Sequence, residues 1–194
     1  MPTPNTFPEL VPDGYAWTPQ SFQTRIDLAN GEQQIHEPYP GIQRVFEFEY
    51  SMLERAEMWQ QLMPHFYANK ARPFTLFDFW EIPWVDEPFA TGDGSSAVFY
   101  LPAKAVEGLT VYVNANATPV TLAPGLGAEG EDRITFASAP PAGARLAFSC
   151  SSSRRRFTVT YFAGPNTPPQ LQPVPLEGGL WGARFQLIER IKRS

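Results

Sequence analysis

The chain has 194 residues, of which 43% are hydrophobic and 14% aromatic, so it is long and apolar enough to bury a core. Its net charge of -5 argues against direct nucleic-acid recognition, because an acidic surface repels the phosphate backbone. The amino terminus lacks the basic start and apolar stretch of a signal peptide, and no apolar run is long enough to cross a bilayer. We therefore expect a folded protein without a membrane span, made in a reducing cytoplasm where the single Cys150 stays a thiol.

The first half of the chain predicts an extended arm followed by strands. Residues 1–19 contain five prolines and predict an arm that needs a neighbour to order it. Residues 21–29 and 32–36 predict two strands joined by a hairpin turn at Asn30-Gly31. The stretch 44–50 (RVFEFEY) is the clearest strand, because its aromatic residues alternate with other residues and so share one face.

One amphipathic helix is predicted over about 51–70. Ser51 and Glu54 have the spacing of a capping box, in which each side chain accepts from a backbone amide of the first turn. Apolar residues then recur at helical spacing, with Trp59 or Gln60 on the apolar stripe. Pro64 is expected to kink the helix, because proline lacks the amide hydrogen that the helix needs.

The rest of the chain predicts strands on both sides of an insertion. Residues 73–80 form a strand that is apolar on both faces, and residues 90–148 show short β-type runs separated by dense turn signals. Strands at 156–162 and 181–191 follow, separated by a long Pro-rich loop. These last strands would be unpaired edges unless they joined the early ones. We therefore predict a split body, 1–88 and 152–194, with a β module inserted at 89–151.

The sequence lacks the usual residue patterns of catalysis. No Gly-x-Ser-x-Gly nucleophile elbow occurs, and Gly92-Asp93-Gly94 lacks the lysine of a phosphate-binding loop and predicts a tight turn. The only histidines, His36 and His65, have no ligand at zinc-binding spacing. The sequence therefore predicts no catalytic, metal or cofactor site and a protein that is not an enzyme.

Tryptophan and arginine residues are the candidates for contacts with partners. Trp80 and Trp84 lie among acidic residues, a combination found in sugar-binding grooves and, with paired carboxylates, in glycosidases. The alternative is that the tryptophans cover a junction or an interface, where tryptophan is enriched. The complete set of candidate interface or glycan contacts is Trp17, Trp80, Trp84, Arg154, Arg155 and Trp181.

Several motifs resemble a small β module of tailed-phage tail proteins. They are the GDGSS turn at 92–96, Val111-Tyr112-Val113-Asn114, Ile134-Thr135-Phe136 and the APPAG turn at 139–143. Where that module usually has Asn-Gly, this chain has Asn114-Ala115-Asn116, which predicts a longer turn. The flanks resemble minor and distal tail proteins of siphophages and gene-transfer particles through Trp17, Arg25, the 44–50 strand and Pro73-Phe74.

This resemblance implies a mainly β protein with a split, tail-tube-like β-barrel that carries one helix, and an inserted β-sandwich. It also implies a non-enzymatic structural component of the phage tail tip. Such proteins form homo-oligomeric rings, often hexameric, that link the tail tube protein to the tail hub or receptor-binding apparatus. The protein would be assembled in the host cytoplasm and reside in the virion. The alternative function is a carbohydrate-binding module that attaches to a glycan of the host surface.

Overall fold

The structure is a computed structural model that describes residues 5–20, 24–27, 33–36, 43–162, 171 and 173–190. Within these residues the fold is mainly β with one short helical region, which confirms the predicted class, and no closed barrel is formed. The strands, numbered β1 to β16 in chain order, are Gly14–Gln20, Thr24–Asp27, Gln33–His36, Gln43–Leu53, Phe74–Glu81, Trp84–Thr91, Val98–Tyr100, Ala103–Glu107, Thr110–Val113, Asn116–Thr118, Val120–Ala123, Arg133–Phe136, Arg145–Cys150, Ser152–Tyr161, Val174–Pro175 and Trp181–Glu189.

The chain divides into two compact units. The inserted unit is Thr75–Phe157, and the split unit combines Pro2–Phe74 with Thr158–Ser194. The boundaries therefore fall inside β5 and β14, whereas those predicted from the sequence fell at 88/89 and 151/152. β6 belongs to the inserted unit because it pairs along its length with β13.

An antiparallel sheet ordered β1-β4-β16-β14 forms the centre of the split unit. Alternation along β4 buries Phe46, Phe48 and Tyr50 while Glu47 and Glu49 stay exposed, as the sequence predicted. Phe185 of β16 stacks on Phe48 with ring centroids 5.1 Å apart. The buried face of the sheet is thus an aromatic core, which holds together strands from both ends of the chain.

The β2–β3 hairpin lies between β1 and β4 in the chain. Its two strands are antiparallel, with Thr24 opposite His36 and Asp27 opposite Gln33, as the sequence predicted. Within the described residues these strands pair with each other and with no other strand. The predicted turn at Asn30-Gly31 lies outside the described residues, as does most of the Pro-rich loop after β14.

The helical region begins later than predicted. It consists of an α-helix at Arg55–Glu57, a π-helical turn at Met58–Leu62 and an α-helix at Met63–Asn69. Ser51 is not its cap, because Ser51 still belongs to β4 and donates its amide and hydroxyl to the carboxylate of Asp13 at 2.5 and 2.7 Å. The helix is capped instead by Glu57, whose carboxylate accepts from the amide of Glu54 at 2.8 Å.

The π-helical turn is explained by the proline that follows it. Pro64 has no amide hydrogen to donate, and the amide of Met63 bonds to the carbonyl of Met58, five residues back. The additional residue in this turn shifts the phase of the apolar stripe. Met58 and Leu62 are therefore fully buried, whereas Trp59 is 42% exposed and Gln60, the alternative predicted for the stripe, is exposed as well.

The inserted unit contains two further sheets that share one hydrophobic core. One sheet is ordered β10-β9-β13-β6 and the other β11-β12-β7. Fully buried Leu146 and Phe148 of the first sheet join Ile134 of the second in the same core. Complete burial of side chains of this size contributes about 1.5–3 kcal/mol each, so this cluster dominates the stability of the unit.

The turn between β9 and β10 is shorter than predicted. Asn116 pairs directly with Val113, so the turn has only two central residues, Asn114 and Ala115. Both have positive φ angles, 49° and 67°, which a two-residue hairpin turn of type I′ requires. The turn keeps the Asn-Gly geometry, because Ala115 adopts the left-handed conformation that glycine normally supplies.

Candidate interaction surfaces

Two tryptophans in contact, exposed Trp59 and half-buried Trp181, lie at one end of the split unit. Trp181 begins β16 opposite Leu53, the last residue of β4, and Trp59 on the π-helical turn meets it edge-on, with ring centroids 5.3 Å apart. Trp59 is 42% and neighbouring Leu176 is 40% exposed. We call Trp59, Trp181 and Leu176, together with the exposed Glu54 and Glu177 that lie close to them in the chain, the tryptophan surface.

A second surface lies at the other end of the helical region. Tyr67 is 62% exposed, and the ammonium group of Lys70 lies 6.0 Å from the centre of its ring. Arg72 follows in the turn that ends the helix, where its amide bonds to the carbonyl of Asn69 at 3.0 Å. We call Tyr67, Lys70 and Arg72 the basic end.

A polar groove of about 780 Å³ lies on the exposed face of the split unit's sheet. Its floor is made of cross-strand pairs: Arg184 donates to Glu49 at 2.6 Å, and Gln186 donates to Glu47 at 2.7 Å. Gly14, Tyr15 and Ala16 of β1 also line the groove. These polar groups satisfy one another across the strands and do not converge on a common point.

Trp17, a sequence-predicted contact residue, lies on the edge strand β1. Its ring is half-buried beneath the guanidinium group of Arg44, at 5.2 Å. Arg44 in turn forms an ion pair with Glu189 at 2.9 Å. Trp17 thus contributes to a cation–π and ion-pair chain that joins β1, β4 and β16.

The structure separates the roles of Trp80 and Trp84. Trp84 is 6% exposed, belongs to the core of the inserted unit and is covered by the guanidinium group of Arg155 at 4.6 Å. Trp80 is 47% exposed. Because a sugar stacks on an exposed ring, Trp80 is the residue of this pair that retains an accessible face.

Basic side chains are stacked on aromatic rings along β14. Arg154 lies 5.2 Å from the ring centre of Phe79 and donates to the carbonyl of Asp78 at 2.6 Å. Its cross-strand neighbour Lys104 lies over Phe77, at 4.7 Å. Burial, together with the charge of Arg154, lowers the pKa of Lys104 to about 8. These contacts hold the side chain of Arg154 against the inserted unit, so this side chain is not freely solvated.

The acidic residues around the tryptophans are held in separate contacts. Asp78 is buried, Glu81 accepts from the hydroxyl of Ser152 at 3.0 Å, and Asp86 forms a two-pronged ion pair with Arg145. Across the described residues no group of three or more His, Cys, Asp or Glu side chains is arranged to hold a metal ion.

His65 occupies an aromatic pocket inside the split unit. Its Nδ1 lies 3.0 Å from the hydroxyl of Tyr161, and the rings of Phe7 and Phe74 meet its ring edge-on. Burial lowers the pKa of His65 to about 4, and the Nε2 atom has no hydrogen-bond partner. The neutral imidazole therefore serves packing, and it fixes the amino-terminal arm through Phe7.

Two of these surface features were missed at the sequence level. The exposure of Trp59 depends on the π-helical turn, which regular helical spacing does not reveal. The basic end could have been found, because Tyr67, Lys70 and Arg72 are close together in the sequence where the predicted helix ends. The part of the chain that the structure describes contains no helix that is both long and apolar enough to span a membrane. No family model matches this chain, and no curated protein is significantly similar to it.

Proposed function

We propose that this chain is a structural, non-enzymatic subunit of the tail tip of a tailed bacteriophage, a distal or minor tail protein. The observation that carries the proposal is the division of the chain, in which a compact β unit interrupts a second unit built from both chain ends. This is the organisation that the resemblance to tail proteins implies. In this role the protein forms a ring that links the tail tube to the hub or receptor-binding apparatus.

The finer fold assignment belongs to the same proposal. The split unit is a β-barrel of the tail-tube type, supported by its aromatic core on one face of the sheet and by the helix that follows β4. The inserted unit is a β-sandwich, supported by two sheets that contribute to a single core. The two unit boundaries fall inside β5 and β14, which are neighbours in one sheet, so the insertion is joined to the split unit by two adjacent connections.

Ring formation is supported by features that a lone subunit leaves incomplete. A two-stranded hairpin is marginally stable by itself in water, and β2–β3 has no further strand partner within the described residues. The exposed Trp59 side chain is of the type enriched at interface centres. We expect neighbouring copies, the tube protein and the hub proteins to cover such surfaces in the virion.

The proposal is tested on particles. Purified virions are probed with antibodies against this chain, and the bound antibodies are located by gold labelling in negative-stain images. We expect label at the tail tip only, at the junction between tube and hub. A chain absent from washed particles, although present in the infected cell, contradicts the proposal. A tube-protein antibody that labels the tail shaft is the positive control.

A second candidate function is the binding of a host-surface glycan, and the exposed ring of Trp80 favours it. A glycan array compares the wild type with Trp80→Ala. Binding that is lost in the variant supports a stacking role for this ring. A blank array with the wild-type protein removes this candidate and leaves the structural role untouched.

A further inference from the structure

We infer that copies of this chain contact each other head to tail, with the tryptophan surface of one copy seated on the basic end of the next. The inference rests on the proposed ring and specifies which surfaces build it. The occupant of the tryptophan surface is thus a second copy of this chain, and the contact joins two different patches.

The tryptophan surface combines an apolar centre with an acidic rim. The edge-to-face contact of Trp59 with Trp181 fixes both rings, so little side-chain freedom is lost when a partner covers them. Glu54 precedes the helix directly after Leu53, which pairs with Trp181, and Glu177 lies in the turn that leads into Trp181. Glu57 of the first helical turn adds a third carboxylate at this end and Arg55 offsets one of the three, so the rim keeps a net negative charge.

The basic end has the complementary composition. Among the described residues, no carboxylate lies within ion-pair distance of Lys70 or Arg72, whose side chains are exposed. Tyr67 supplies an apolar ring beside them that is 62% exposed. A cation next to an exposed aromatic ring matches an aromatic pair, of which Trp59 is exposed, with carboxylates close to it in the chain.

The spacing of the two surfaces excludes contact within one copy. They lie on opposite halves of the helical region: at about 1.5 Å per residue, Tyr67 and Lys70 are roughly 12 and 16 Å beyond Trp59 along the helix axis. Pairing two tryptophan surfaces, or two basic ends, would bring like charges together. Opposite charges meet only when the tryptophan surface of one copy contacts the basic end of another. Repeated contacts of this heterologous kind close into a ring when the rotation between copies allows.

The test is a reciprocal charge reversal in the full chain. One variant carries Glu54→Lys and Glu177→Lys, and the other carries Lys70→Glu and Arg72→Glu. Each variant alone opposes like charges, so we expect its self-association constant to fall at least tenfold in sedimentation velocity. An equimolar mixture restores opposite charges at every contact, so its association should return to within about threefold of the wild type. Glu107→Lys, an exposed reversal in the inserted unit, raises the net charge by half as much as the first variant and shows whether a reversal away from both surfaces affects association.

The mixture also separates assembly from folding, because misfolded variants would not rescue each other. A zero-length carbodiimide crosslinker provides an independent readout. In mixed isotope-labelled and unlabelled protein, we expect intermolecular links between Lys70 and Glu54 or Glu177. Self-association that is unchanged in both variants, a mixture without rescue, or a wild-type chain that stays monomeric overturns this contact. Gold labelling at the tail tip would still uphold the proposed function in each of these cases.

Discussion

Replacing Ala115 by glycine should stabilise the inserted unit. Ala115 has a φ angle of 67° in the β9–β10 turn, and its neighbour Asn114 has 49°. A left-handed conformation costs a residue with a side chain about 1–2 kcal/mol. Glycine avoids that cost but loses about 0.5–1 kcal/mol more backbone freedom on folding. The net gain is about 0.5–1 kcal/mol, which for a unit of this size corresponds to a rise of roughly 2–8 °C in melting temperature.

The matched control is Ala117→Gly, the same chemical change two residues further on. Ala117 lies in β10 opposite Tyr112 and has no positive φ angle, so glycine there should lower stability by about 0.5–1 kcal/mol. Scanning calorimetry of the full chain measures both variants. If Ala115→Gly lowers the melting temperature as Ala117→Gly does, the turn holds no left-handed strain and the reasoning fails.

Three further predictions concern buried positions. Gly92→Ala should destabilise the inserted unit by about 1–3 kcal/mol, because the methyl group of the new alanine would meet the carbonyl oxygen of Pro141. Urea unfolding measures this change, and an unchanged midpoint would show that the two turns move apart freely. Because burial holds the pKa of His65 near 4, below its unfolded value, stability should be full above about pH 6.5 and fall by on the order of 3 kcal/mol towards pH 4. This loss of stability between pH 6.5 and pH 4 should be absent in His65→Phe. A variant with the same dependence of stability on pH as the wild type would refute the role of His65. Trp84→Ala should cost about 3–5 kcal/mol, whereas exposed Trp80→Ala should cost far less, and equal losses would contradict the separate roles of the two rings.

The sequence predicted the strands of the split unit well because their aromatic alternation is a local signal. Phe46, Phe48 and Tyr50 share the buried face, as their spacing required. The start of the helix was predicted wrongly, since Ser51 has the chemistry of a cap but is engaged by Asp13, which is distant in sequence. Local patterns do not reveal such a competitor.

The candidate surfaces were less predictable than the fold. Trp84 and Trp80 lie in similar sequence surroundings, yet only the packing of β6 against β13 places Trp84 in a core beneath Arg155. The exposure of Trp59 follows from a π-helical turn that depends on the interplay of Pro64 with the preceding carbonyls. Both outcomes are set by tertiary contacts or by an irregular backbone, which residue spacing does not encode.

The two turn motifs that carry the resemblance are parts of one structural feature. The amide of Gly94 donates to the carbonyl of Pro140 at 3.1 Å, and the amide of Gly143 donates to the carbonyl of Gly92 at 2.9 Å. The GDG and APPAG turns therefore dock on each other, and Gly92 is required because no side chain fits between them. Asp93 strengthens the first turn by accepting from the amides of Ser95 and Ser96 at 2.8 and 2.7 Å.

These motifs specify how the inserted unit closes, so its turn residues are explained by folding alone. The function of the chain must then be sought in side chains that folding leaves exposed, foremost the tryptophan surface and the basic end of the split unit.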